Sequence, residues 1–220
     1  MAVGGLFFWL GNTIPIVNNY LGGACLLPLI GASFLNYVGL VPQELVNDLI
    51  PLVESRYRTY TQQTDFEGLQ ASRNHRAIGG FSMGAVTTWY ALECTLDYFK
   101  YFMPISSDGW SLGRFAGMDY PDETAAHLAD IIRSSSSSGN DFYIWACSGT
   151  DDVAYDRIWI QVQAMAQITD VFDINHLTFH EQESARHVFG SLSEYFFNAL
   201  PFMFPDCYDV NSQQFTNDNL

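Results

Sequence analysis

The stretch Gly80-Phe81-Ser82-Met83-Gly84 constrains this chain more than any other, because it joins two segments of different periodicity. Before it, Arg76-Ala77-Ile78-Gly79 is a short apolar run that predicts a buried strand; after it, Ala85 to Leu92 reads as a helix packed on that strand. A strand that becomes a helix through a single serine bends so sharply that the serine is strained, and glycines on either side avoid the clashes a Cβ would cause. The turn lifts the serine oxygen above the sheet and aims the helix N-terminus at it. The backbone N–H of Met83 then becomes a donor to an oxyanion. In this setting a nucleophilic Ser82 outweighs the plainer reading, a tight turn with an idle serine.

A nucleophilic serine needs a base, and the base needs a carboxylate to orient it. On a strand–Ser–helix scaffold the partners are expected in the order Ser, then Asp or Glu, then His, each on a loop after a strand. Phe142 to Cys147 has strand character and is followed by the polar turn Ser148-Gly149-Thr150-Asp151-Asp152. His176 to His180 alternates like a strand, 181–186 reads as a loop, and His187 opens a helix-like segment, Val188 to Leu200. Of the five histidines, His75 reads as solvated at the start of a strand and His127 as lying on a helix surface, while His176 and His180 read as partly buried strand residues. Only His187 lies at a strand–loop–helix boundary. Asp151 and Asp152 are neighbours in one turn and point in different directions, so one of them can reach the imidazole; the turn by itself does not choose between them.

These residues carry a family resemblance. Ala71 to Trp110, from Ala-Ser-Arg-Asn-His-Arg-Ala-Ile-Gly-Gly-Phe-Ser-Met-Gly to Met103-Pro104-Ile105-Ser106-Ser107-Asp108-Gly109-Trp110, resembles the feruloyl esterases of carbohydrate esterase family 1, above all the catalytic modules of bacterial xylanases and cellulosomes. The similarity extends through Ala146–Tyr155 and His187–Phe204. Upstream it takes in the loop Tyr20 to Cys25 and a helix over Glu44 to Tyr57. It implies an α/β-hydrolase fold, with a mostly parallel central sheet covered by helices on both faces, in one catalytic domain over 1–220. On it the nucleophile falls on Ser82 and the base on His187. The acid falls on Asp151 when Asp-x-Val-Ala-Tyr is the anchor, and on Asp152 if the gap in that turn is placed differently. Trp110 matches an aromatic that lies beside the bound phenolic ring, although a tryptophan there also serves as core filler. The implied substrate is feruloylated arabinoxylan or a related ester, with no cofactor and no metal, in an extracellular setting. An acetylxylan or other short-acyl esterase is the alternative, and a non-catalytic relative that only binds carbohydrate is a third reading.

Composition agrees with an enzyme of this kind. The 220 residues are 48% hydrophobic and 15% aromatic, enough for one full core. Nine Lys plus Arg against 24 Asp plus Glu give a net charge of −15, which repels phosphate backbones and argues against nucleic acid or an anionic membrane as partner. The four cysteines, Cys25, Cys94, Cys147 and Cys207, lack the close spacing of a zinc or redox site. Cys94 and Cys147 read as buried thiols; the resemblance implies a pairing of Cys25 with Cys94.

The first 43 residues diverge. No charged residue precedes Glu44, which rules out the basic start of a secretory signal. Asn12, Pro15, Asn18, Asn19 and Gly22-Gly23 interrupt every apolar run before the ~20 residues that a membrane span needs. Thr13 to Val17 reads instead as a buried strand. The His-Gly-Gly-type loop that shapes the oxyanion hole in the family has no counterpart here, so the first strands are either missing or replaced by another segment; Asn18 to Gly23 is a candidate source of the second oxyanion donor. Residues 134–140 are expected as a serine-rich surface loop and 206–220 as a polar tail.

Overall fold

The computed structural model describes residues 40–57, 59–135 and 141–204, together with the backbone of residues 6–10. The strand expected at Thr13–Val17, the loop Asn18–Gly23, Cys25, residues 136–140 and the polar tail lie outside the described residues.

Among the described residues, five strands form one sheet in chain order: β1 (Leu6–Leu10), β2 (Arg76–Phe81), β3 (Tyr101–Ile105), β4 (Tyr143–Gly149) and β5 (Leu177–Gln182). Each neighbour pair is parallel, with Phe81 level with Ile105, Ile105 with Cys147, and Cys147 with His180. Parallel neighbours need a crossover between every pair, and strands covered on both faces become near-continuous apolar runs. Accordingly β2 and β3 are buried at every residue.

The crossovers are helical. A helical run over residues 40–56 contains a π-helical stretch, Leu45–Leu49, and ends as α1 (Ile50–Arg56). Then come α2 (Phe66–Ala71), α3 (Met83–Cys94), α4 (Ala116–Asp119), α5 (Pro121–Ser134), α6 (Tyr155–Met165) and α7 (Leu192–Met203).

Alternation along the strands divides the interior in two. Ile78, Phe102, Ile144, Ala146 and Leu177 face the side closed by α3, α5 and α6, through Trp89, Leu92, Leu128, Ile132, Ile158 and Val162. Ala77, Phe81, Met103, Ile105, Trp145 and Cys147 face the opposite side, where α7 supplies Leu192, Tyr195, Ala199 and Met203. This is the parallel sheet with helices on both faces that the sequence implies. In α5 the apolar positions Ala125, Leu128, Ala129 and Ile132 fall three and four apart on one stripe, and Pro121 at its start lacks only an N–H that no helix bond would use.

Charge at the start of β2 is buried rather than solvated. Arg76 is almost wholly enclosed and donates to Glu54 of α1, to the carbonyls of Leu69 (2.6 Å) and Tyr98 (2.9 Å), and to the Ser72 hydroxyl. Beside it, Arg73 donates to the carbonyls of Leu96 (2.8 Å) and Phe99 (3.1 Å) and to Asp141 (2.9 Å). These bonds satisfy backbone carbonyls of α2 and of the loop before β3, at the amino end of the strands and away from the serine. Removing one member of a buried pair strands the other charge, at about 3–5 kcal/mol. Arg76→Ala is therefore expected to lower unfolding stability by about that amount in urea titration. A loss below about 1 kcal/mol, the scale of an exposed pair, would show that Glu54 and Arg76 do not hold α1 to the sheet.

Candidate active site

The chemistry gathers at the carboxyl ends of the strands, where open parallel sheets place their sites. Ser82 follows β2 with φ 59 and ψ −114, a conformation that L side chains rarely adopt. Two features hold it there. The Ser82 N–H donates to the Ile105 carbonyl at 2.8 Å, tying the turn to β3. A Cβ on Gly80 would lie 2.3 Å from the Gly84 backbone, so strand and helix cross where only hydrogen fits. Met83 is the first residue of α3, and its N–H has no carbonyl four residues back to bond.

His187 and Ser82 stand 105 positions apart in the chain, yet His187 Nε2 lies 2.9 Å from Ser82 Oγ. Its other nitrogen, Nδ1, lies 2.8 Å from Asp152 Oδ1. An ionised carboxylate only accepts, so Nδ1–H donates to Asp152 and Nε2 is left to accept from the serine hydroxyl.

The carboxylate at the imidazole is thus Asp152, and not the Asp151 selected by the family anchor. The reason lies in the turn. Asp152 points inward, its side chain fully buried, with Oδ1 also accepting from the Ala154 N–H at 2.7 Å. Asp151 points outward, half-exposed, with Arg186 at 4.0 Å. Two loops meet here because Gly149 lacks a Cβ, which would lie 2.1 Å from the Ala185 carbonyl oxygen. The Thr150 N–H donates to the Gln182 carbonyl (3.0 Å), the Asp151 N–H to the Ala185 carbonyl (3.1 Å), and the Ser184 N–H to Thr150 Oγ1 (2.8 Å). Acid loop and base loop are laced into one piece.

The residues flanking Ser82 belong to different apolar groups. Phe81 lies on the α7 side of the sheet, with the His187 ring 4.5 Å from its own. Met83 packs with Val86, Trp110, Tyr90 and Phe115. Trp110 is only 6% exposed; its indole N–H donates to Asp108 (3.0 Å), Phe115 meets it edge-on at 5.0 Å, and the Tyr90 hydroxyl donates to its carbonyl. It can therefore shape this side of the site through Met83 and Phe115, but it does not present an open face for stacking.

The other histidines are engaged elsewhere. His75 stacks on Tyr60, His176 pairs with Asp173 at 2.6 Å, and His180 contacts Asn198. His127 stands 3.6 Å from Glu93, whose carboxyl burial pushes up to about 8. Cys147 is buried, and that burial raises its thiol well above the ordinary range. Cys94 is exposed rather than buried, at the end of α3.

Two supports escaped the sequence reading. Asp108 is completely buried and accepts from Trp110 and from the Met118 N–H (3.2 Å); burial raises its carboxyl, and these donors partly offset the shift. Gln161 interrupts the apolar stripe of α6, yet is buried because its Oε1 accepts from the Gly109 N–H at 2.6 Å. A polar residue inside an otherwise apolar stripe was the available signal. Among the described residues no cluster of His, Cys, Asp and Glu could hold a metal ion.

Endo-1,4-beta-xylanase Y of Acetivibrio thermocellus is 37% identical over 167 residues, 74% of this chain; the chain spans 15% of that protein's length. Among solved structures, a serine-to-alanine mutant of the feruloyl esterase module from Clostridium thermocellum, complexed with sinapinate, aligns with a TM-score of 0.75 at 28% identity. That alignment covers 92% of this chain and 78% of the module. The beginning of the chain has a second affinity. Residues 1–64 match the model of the 2-hydroxycarboxylate transporter family. The malate transporter MleP of Lactococcus lactis is 37% identical over 46 residues, 21% of this chain and 11% of that protein. The stretch from Tyr20 to Tyr57, where the sequence resembles an esterase, thus lies inside the transporter-like match. Among the described residues no helix is long and apolar enough to cross a membrane.

The contact between β2 and α3 predicts a contrast between glycines. Gly80→Ala forces its methyl into backbone that cannot yield and is expected to lose about 1–3 kcal/mol or more in a thermal or urea melt. Gly190→Ala, where a Cβ meets nothing within 4 Å, is expected to stay within about 0.5 kcal/mol of the parent. Equal melts for the two variants would mean that the crossing at Gly80 is looser than described.

Proposed function

The chain belongs to the feruloyl esterases of carbohydrate esterase family 1, within the α/β-hydrolases, and from that premise we propose that it is a serine esterase releasing hydroxycinnamic acids from feruloylated plant cell-wall xylan. One observation carries the reading: the hydrogen-bonded series Ser82 Oγ, His187 Nε2, His187 Nδ1, Asp152 Oδ1, assembled at the strand ends. It favours catalysis over mere carbohydrate binding, because it leaves the serine oxygen beside a base already held in the right tautomer.

The steps follow from the geometry. As Ser82 Oγ attacks the ester carbonyl, its proton passes to His187 Nε2 and the carbonyl oxygen becomes an oxyanion. Asp152, dry and already bonded to Nδ1–H, stabilises the imidazolium that forms. The Met83 N–H, at the positive end of α3, faces the oxyanion. Collapse breaks the bond to the alcohol, which leaves with the proton from Nε2. Water then gives a proton to His187, attacks the acyl-enzyme and frees the acid, and the proton returns to Ser82. Trp110 bounds the acyl side through Met83. The sheet with its helices forms one catalytic domain, to which the divergent first 43 residues contribute β1. The substrate implies work on plant cell-wall polysaccharide outside the cell. The sinapinate bound to the related module favours an aromatic acyl group over acetate.

Methyl ferulate is the direct test. Ser82→Ala is expected to reduce ferulate release by about 10⁶-fold, to the background of an enzyme lacking its nucleophile, and to abolish labelling by a fluorophosphonate. A variant that still labels and turns over would remove Ser82 from the reaction.

The two aspartates are separable by the same assay. Asp152→Asn is expected to lower kcat by about 10⁴-fold, as when an amide leaves the imidazole in the wrong tautomer. Asp151→Asn, altering an exposed carboxylate, is expected to remain within about twofold. The reverse order would reinstate Asp151 as the orienting acid.

A further inference from the structure

We propose that Phe189 forms a stacking platform for the sugar ring of the leaving alcohol, so that the site selects esters of carbohydrates over esters of simple alcohols; this rests on the esterase reading above. The sides of Ser82 are chemically distinct. Met83 leads to Trp110 and Phe115, while Phe81 leads to His187 and Phe189. Since His187 Nε2 must hand its proton to the leaving oxygen, the alcohol has to sit over the imidazole, on the Phe81 side.

Three rings line up there. The Phe81 ring is buried, with the His187 ring centroid 4.5 Å away and the Phe189 centroid 5.4 Å away. Phe81 therefore fixes the spacing of the other two. Yet Phe189 is 58% exposed, and its neighbour Val188 is exposed as well. The chain beside it is uncrowded, since a Cβ built on the following Gly190 would meet no atom within 4 Å. Phe189 shares the Phe81 ring with His187, so an exposed aromatic stands next to the base and offers its ring to whatever lies over the imidazole. The substrate part due at this place is an alcohol whose apolar face must lie flat against a ring. A pentose or hexose presents such a face of C–H bonds, whereas a methyl group is too small to cover it.

The test compares two esters of one acid, methyl ferulate and a feruloylated arabinose, in the parent, Phe189→Ala and Phe189→Tyr. The ratio of kcat/KM, sugar ester over methyl ester, is expected to fall fivefold to tenfold in Phe189→Ala, about the scale of one lost aromatic contact. The loss should appear mainly as a higher KM for the sugar ester. Phe189→Tyr, which keeps the ring, should restore the ratio. A parent that hydrolyses neither ester overturns the esterase reading and the platform with it. A parent that hydrolyses both, with a ratio unmoved by Phe189→Ala, overturns the platform alone.

Discussion

Ser82 can keep its φ of 59 because β2 and α3 cross at Gly80 and Gly84 with no side chain between them. A strained residue of this kind costs about 1–3 kcal/mol and persists only where its surroundings over-determine it. Here the constraints come from three directions. The Ser82 N–H is bonded to β3, the residues before it are locked in the middle of the sheet, and α3 is anchored by buried Ala85, Val86, Trp89 and Leu92. Fixing the backbone so firmly fixes the hydroxyl in space, and every other part of the site is placed relative to it.

The molecule divides its labour between the two ends of its strands. At the amino end, Arg73 and Arg76 sink their charge into loop carbonyls and carboxylates, binding α1 and α2 to the sheet. At the carboxyl end, buried polar groups serve positioning: Asp152 holds the imidazole, while Asp108 and Gln161 hold the loop that carries Trp110. Both sets are desolvated; the arginines, Asp108 and Gln161 bond to the groups named above, whereas Asp152 bonds through Oδ1 and its Oδ2 is buried without a hydrogen bond among the described residues. Consequences differ, since loss at one end loosens the scaffold and loss at the other misplaces the reacting atoms.

Much of this was legible in the chain. Ser82 and His187 sit at changes of hydrophobic period, so strand, loop and helix could be read around each of them. The expected helix after Ser82 appears as α3, and the strands at Arg76, Phe142 and His176 appear as β2, β4 and β5. Asp151 against Asp152 was not legible, because the choice depends on which side of one turn faces the imidazole, and both residue types suit either side. The burial of Arg73 and Arg76 was hidden for a related reason: their partners, Glu54, Leu96 and Tyr98, are distant in sequence and mostly backbone. Phe189 looked like one more aromatic in an apolar helix start, and only its exposure next to Phe81 distinguishes it. At the beginning of the chain, similarity to a transporter family overlaps the stretch that resembles an esterase, and a local pattern could not separate the two.

The spacing of Ser82 and His187 along the chain has a consequence for the newly made protein. As the polypeptide emerges, the elbow around β2 and α3 can form long before the segment bearing the imidazole exists. Until α7 settles on the far face of the sheet and brings its loop over Phe81, the hydroxyl has no base and stays an ordinary alcohol. On the proposed reaction, the pairing of Ser82 with His187 therefore belongs to the fully folded sheet, with both of its faces covered.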